Sequence, residues 1–158
     1  MKNPWRRLFP LAFAICAACA AHAAAAQTPI AVGNTQALAF GRFAAGNGGT
    51  VTVGPGGARS AGGGVVLVSS GAGAAAQFSV SGDANATYAI SLPADGSVSL
   101  ASGANSMAVN TFTSSPSPTG TLGAGGTQTL SVGATLTVGG NQPVGSYSGA
   151  FDVTVDYN

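Results

Sequence analysis

Gly145-Ser146-Tyr147-Ser148-Gly149-Ala150-Phe151-Asp152-Val153-Thr154-Val155-Asp156-Tyr157-Asn158 is the stretch whose reading decides the fold. Tyr147, Phe151, Val153, Val155 and Tyr157 fall on one face of it, and Ser148, Asp152, Thr154 and Asp156 on the other. This is the period-two alternation of a half-buried strand, predicted here from Gly145 to the last residue. Such a strand either closes a finished sheet or lines a place where another chain adds.

The same alternation recurs upstream. Leu130, Val132, Ala134, Leu136 and Val138 face one way while Ser131, Thr135 and Thr137 face the other, and a turn containing Pro143 predicts that this strand pairs with the terminal one as a hairpin. Tyr88, Ile90 and Leu92 alternate up to Pro93, after which Asp95-Gly96 signals a second hairpin with Val98 and Leu100. Short apolar runs at 38–40, 50–53, 65–68, 77–81 and 107–113 complete the set, separated by clusters such as Gly54-Pro55-Gly56-Gly57 and Ser115-Pro116-Ser117-Pro118. No segment has a helical period. The pattern predicts an all-β chain, an immunoglobulin-like antiparallel β-sandwich, with residues 27–158 forming a single domain.

The other end of the chain is a processing signal. Lys2, Arg6 and Arg7 precede the apolar, alanine-rich run from Leu8 to Ala20, and Ala21-His22-Ala23 and Ala24-Ala25-Ala26 offer small-residue cleavage sites. Residues 1–26 therefore read as a secretory signal peptide cut after Ala23 or Ala26. The run is short for a membrane span, and Cys16 and Cys19 lack the leucine-led context of a lipobox. The expected route is the Sec pathway, to the periplasm, the cell surface or the extracellular space, with no transmembrane anchor in the mature chain.

Without that segment the composition excludes whole classes of function. Residues 27–158 contain no Cys, His, Lys or Glu, and their charged side chains are Arg42, Arg59, Asp83, Asp95, Asp152 and Asp156. Two arginines cannot neutralise a phosphate backbone, so nucleic acid is not an expected partner. A disulfide framework is excluded for want of cysteine. The usual general bases and activated nucleophiles are missing, so the chain is not expected to be an enzyme. On an extended strand Asp152 and Asp156 would stand roughly 13 Å apart, too far for a glycosidase pair, and they read as solvent-facing charges on a sticky strand. Asp83-Ala84-Asn85 reads as an Asx-type turn rather than a calcium loop. Gly71-Ala72-Gly73-Ala74-Ala75-Ala76 precedes a strand, not a helix, and reads as a loop rather than a dinucleotide fingerprint. No cofactor and no metal are expected.

The offsets of Gly145 and Tyr157 from Asn158, with Phe151, Val153 and Val155 alternating between them, resemble the C-terminal motif of pilin subunits of the chaperone–usher pathway. Leu38-Ala39-Phe40-Gly41, Val132-Gly133-Ala134-Thr135-Leu136 and the terminal stretch are similar to an uncharacterised secreted bacterial family, domain of unknown function 4402. The pilin resemblance implies an incomplete sandwich, open beside its C-terminal strand and filled by β-strand addition, in a fimbria-like surface or adhesive subunit. It implies a periplasmic chaperone, an outer-membrane usher and like subunits as partners. It also makes Gly145, Tyr147, Phe151, Val153, Val155, Tyr157 and Asn158 the assembly residues, with Phe151, Val153, Val155 and Tyr157 lining the groove and the Asn158 carboxylate held by basic residues of the chaperone. Ordinary core packing accounts for those side chains equally well. Ahead of the domain only Ile30 and Val32 alternate as a donor strand would, so the chain is expected to receive a strand rather than give one. The alternative is a self-complete secreted module that binds carbohydrate or protein, although Tyr88, Tyr147, Tyr157 and the phenylalanines give little material for an aromatic platform.

Overall fold

The computed structural model describes residues 26–158, so the expected signal peptide lies outside the described residues except for Ala26. The chain is all-β, as its alternation predicts. In order the strands are β1 (Ala31–Gln36), β2 (Phe43–Ala44), β3 (Gly49–Val53), β4 (Arg59–Gly63), β5 (Val66–Leu67), β6 (Ala76–Ser81), β7 (Thr87–Ser91), β8 (Val98–Ser102), β9 (Asn105–Ser115), β10 (Thr119–Thr121), β11 (Thr127–Val138) and β12 (Thr154–Tyr157).

β11 is the axis. Along one edge it pairs with β9, which carries β8. Its other edge is shared: Thr127–Val132 pair with β6, and Ala134–Val138 with β3. β6 carries β1 and β3 carries β4, which completes a branched seven-stranded sheet. A three-stranded sheet, β10-β7-β12, and the short ribbon β2-β5 lie outside it, and every pairing is antiparallel.

The even-numbered side chains of β11 face inward along its whole length, and so supply two cores. Over its first half Leu130 and Val132 pack with Phe78 and Val80 of β6 against Tyr88 of β7, Leu122 and Val155 of β12, giving two sheets face to face. Over its second half Leu136 and Val138 pack with Val51, Val53, Met107 and Val109, and Phe40, Phe43 and Leu67 cover them from the β2–β5 side. Leu38 and Phe112 touch both clusters.

Two predicted hairpins do not form. β12 pairs with β7, not with β11, because both edges of β11 are already occupied. β7 and β8 lie in different sheets, so the Pro93–Ser97 loop crosses between layers, and β8 instead forms its hairpin with β9. The Asp95-Gly96 pair is used differently: Asp95 Oδ1 accepts a hydrogen bond from the Thr111 amide at 2.6 Å, and the Gly96 amide donates to Asn110 Oδ1 at 2.8 Å. Those partners sit at a bulge. Between Gly133↔Thr113 and Thr135↔Asn110, β9 holds one residue more than β11, and Thr111 takes a φ of 50°. A bulge moves the following side chains to the other face. Met107 and Val109 point inward before it, and Phe112 does so after it.

Candidate functional site

The terminal stretch keeps its one-sided burial but not its strand. Tyr147, Phe151, Val153, Val155 and Tyr157 are wholly or partly buried, and the residues between them are exposed. Ladder pairing, however, is confined to Thr154–Tyr157; the predicted strand from Gly145 to Val153 is corrected to an arm with one bridge, between Ser148 and Ala101 of β8. The amides and carbonyls of those two residues exchange bonds of 2.8 and 3.0 Å. The physical cause is a change of partner along the run: Ser148 pairs with the large sheet, Thr154 with the small one, and the chain between them crosses the gap.

The seven expected assembly residues are split accordingly. Gly145 lies against Ser102, where a Cβ would come 2.7 Å from Oγ. Tyr147 packs on the second-half core, donates its hydroxyl to Pro143 O at 2.9 Å and accepts from Gln142 Nε2 at 3.0 Å. Phe151, Val153, Val155 and Tyr157 belong to the other core. The Phe151 ring lies 5.1 Å from Phe112 and 6.1 Å from Phe78, an aromatic cluster that the β9 bulge makes possible by turning Phe112 inward. Val155 is buried, and Asn158 is exposed with its amide on Thr87 O.

The outer edge of β12 carries no ladder among the described residues, although β1 approaches it. The bond from the Asn158 amide to Thr87 O, 3.2 Å, makes 158/87 a bonded pair, so by the antiparallel alternation Thr154 and Asp156 also point their backbone groups at β7. Val155 and Tyr157 point theirs away. Among the described residues β12 pairs with no strand on that side, and across the seam β1 pairs only with β6. Where the seam widens, a cleft of about 210 Å³ opens between Leu38, Phe40, Phe78, Val98, Leu100 and Phe151. A more polar hollow of about 430 Å³, by Pro93 and Asp152, shares Val98, Ala150 and Phe151 as its wall.

At its narrow end the seam is clasped by a contact that the sequence did not mark. The Tyr157 hydroxyl donates to Thr28 O at 2.8 Å and accepts from the Asp83 amide at 2.6 Å, while Asp83 Oδ1 accepts from the Thr28 amide at 2.9 Å. Bonds from Thr28, its side chain first and its amide second, hold the Asp83 carboxyl below its ordinary pKa. The Asp83-Ala84-Asn85 turn is present, closed by the Ala86 amide on Asp83 O with Asn85 at φ 60°, but the carboxylate reaches Thr28. The phenol passes directly over Gly82, where any Cβ would collide with it. These partners are 55 and 129 residues apart in sequence, so no local pattern announces them.

Among the described residues there is no group of His, Cys, Asp and Glu able to hold a metal ion, and every buried side-chain polar atom has a partner. Buried Tyr88 donates its hydroxyl to Gln128 Oε1 at 2.7 Å, and desolvation raises its pKa. Among the described residues no helix is long and apolar enough to cross a membrane.

A family model described as domain of unknown function (DUF4402) matches residues 30–157. No curated protein and no solved structure matches the chain.

Proposed function

We propose that this chain, which belongs to the DUF4402 family, is a structural or adhesive subunit of the cell surface, fimbria-like and non-catalytic, that assembles by accepting a β-strand. The observation that carries the reading is the unladdered outer edge of β12, with an apolar cleft just ahead of the strand at Phe151. An unpaired edge is a template for another strand, whose main-chain bonds give affinity and whose alternate side chains enter pockets to fix register. An incoming strand would bond to Val155 and Tyr157 and set an apolar side chain beside Phe151. Export through the Sec pathway to the periplasm or the cell surface, with a chaperone, an usher and like subunits as partners, belongs to the same proposal.

The reading has a residue-specific test. Amides of Asp156 and Asn158 face β7 and should exchange slowly in the free domain, whereas those of Val155 and Tyr157 should exchange faster. Peptides copying the N-terminal segments of proteins encoded beside this one should slow Val155 and Tyr157 by at least about tenfold, a tenfold change being worth about 1.4 kcal/mol. If the whole set, with a periplasmic chaperone from the same locus, leaves both amides unprotected, strand addition fails.

The alternative is a self-complete secreted β-sandwich module that binds carbohydrate or protein. One observation favours it: β1 is already seated on β6 and the clasp ties Thr28 to Tyr157, so the chain's own N-terminal segment takes part in closing the seam.

A further inference from the structure

The clasp at Thr28 has an unbalanced charge. Asp83 is held there as a carboxylate by neutral donors alone. The cations available in residues 27–158 are Arg42 and Arg59. Arg59 spends its guanidinium on the carbonyls of Phe40, Arg42 and Val68, and neither arginine bonds to Asp83 among the described residues. The clasped residue lies two positions beyond Ala26, one of the two cleavage sites read from the sequence.

We propose that Asp83 and Tyr157 form a seat for a newly made N-terminus, produced by hydrolysis of the Ala26–Gln27 bond. Water supplies the atoms: the hydroxyl goes to the Ala26 carbonyl, which leaves as a carboxylate with the removed segment, and the nitrogen of Gln27 becomes an α-ammonium. A backbone nitrogen and its successor are about 3.6 Å apart, so with Thr28 N on Asp83 Oδ1 the new ammonium stands within reach of that carboxylate. Processing thus supplies the cation that Asp83 lacks and draws the N-terminal segment onto the end of β12. Cleavage after Ala23 would leave the charge three residues further out, on Ala24, beyond the seat.

The neutral amine of Gln27, once free, can attack its own side-chain amide carbon and expel ammonia, giving an uncharged lactam; the protonated amine cannot. A seated ammonium therefore slows this cyclisation. For an exposed pair the α-amino pKa should rise by up to about half a unit, which slows lactam formation about threefold at neutral pH. The experiment compares the chain beginning at Gln27 with its Asp83→Asn variant, which keeps an oxygen for the Thr28 amide but loses the charge. The α-amino pKa is read by NMR and ammonia loss by mass spectrometry. The same pair beginning at Ala24 serves as control, where Asp83→Asn should move neither quantity. Equal pKa values and equal cyclisation rates in the two Gln27 forms would overturn the proposal. So would an exported protein whose measured mass begins anywhere but Gln27 or its lactam.

Discussion

At the residue scale the molecule depends on a few side chains that tie together segments remote in sequence. Arg59 is one: Nη1 donates to Phe40 O and Arg42 O at 3.1 and 3.2 Å, and Nη2 to Val68 O at 3.0 Å. This fork holds the loop over the second-half core, and Gly41, at φ 71°, is glycine because a Cβ would strike both the guanidinium and Gly71 O. A lysine ammonium cannot span three carbonyls in one plane. Arg59→Lys should cost about 1 kcal/mol in a urea titration, since the partly buried Phe40 carbonyl loses its donor while the other two carbonyls are exposed to water. A midpoint unchanged within error would mean that water substitutes for the fork. Tyr157 acts in the same way through its hydroxyl. Tyr157→Phe leaves the ring against the first-half core but strips the bonds to Thr28 and Asp83. The first effect expected is faster amide exchange at Thr28 and Asp83, with a global loss of about 1 kcal/mol.

At the element scale the β9 bulge decides which aromatics meet. Strict alternation from Met107 and Val109 would turn Phe112 to solvent; the extra residue at Thr111, held by Asp95, turns it inward onto Phe151. Deleting Thr111 removes the extra residue and leaves Phe112 directly after outward-facing Asn110, so Phe112 should stay inward on a regular ladder, and the cost should be confined to the lost Asp95–Thr111 hydrogen bond, about 1 kcal/mol. Retention of wild-type stability in a chemical melt would show that the bond is incidental. The strands legible in advance were those with something to bury. β6, β7, β9 and β11 carry alternating Val, Leu, Ile, Phe or Tyr, and each lies close to its predicted run. β1, β4 and β10 were not predicted as strands. Their sequences, AVGNTQ, RSAGG and TGT, bury little and belong to edges, where ladder bonds rather than side chains define the strand.

For the whole molecule, the absence of His, Lys, Glu and Cys from residues 27–158 gives an unusual pH profile. The Asp83 pKa is lowered on folding, so its contribution is present above its unfolded pKa near 4 and is lost as pH falls through the folded value. The Tyr88 pKa is raised, so its contribution is present below an unfolded pKa near 10 and is lost as pH climbs towards the folded value. Between about pH 5 and pH 9 only the α-amino group titrates. Thermal melts of residues 27–158 should therefore give a nearly level Tm across that window, with a fall on either side. A steep slope near neutrality would contradict this account. The seven proposed assembly residues form no single patch: Gly145 and Tyr147 serve the β8 edge, and Phe151 to Asn158 serve β7 and the seam.

By itself the sequence determined the all-β class, the inward face of β11, the one-sided burial of the last residues and the want of His, Cys, Lys and Glu in residues 27–158. Each of these follows from local alternation or from composition, and neither needs a partner to be known. Only the tertiary structure decided which strands pair, where the terminal run changes sheets, and that Thr28, Asp83 and Tyr157 meet. Strand pairing depends on which edges are already filled, and the clasp depends on contacts across 55 and 129 residues. A period of two in the sequence says which way a side chain points, but not what stands opposite it.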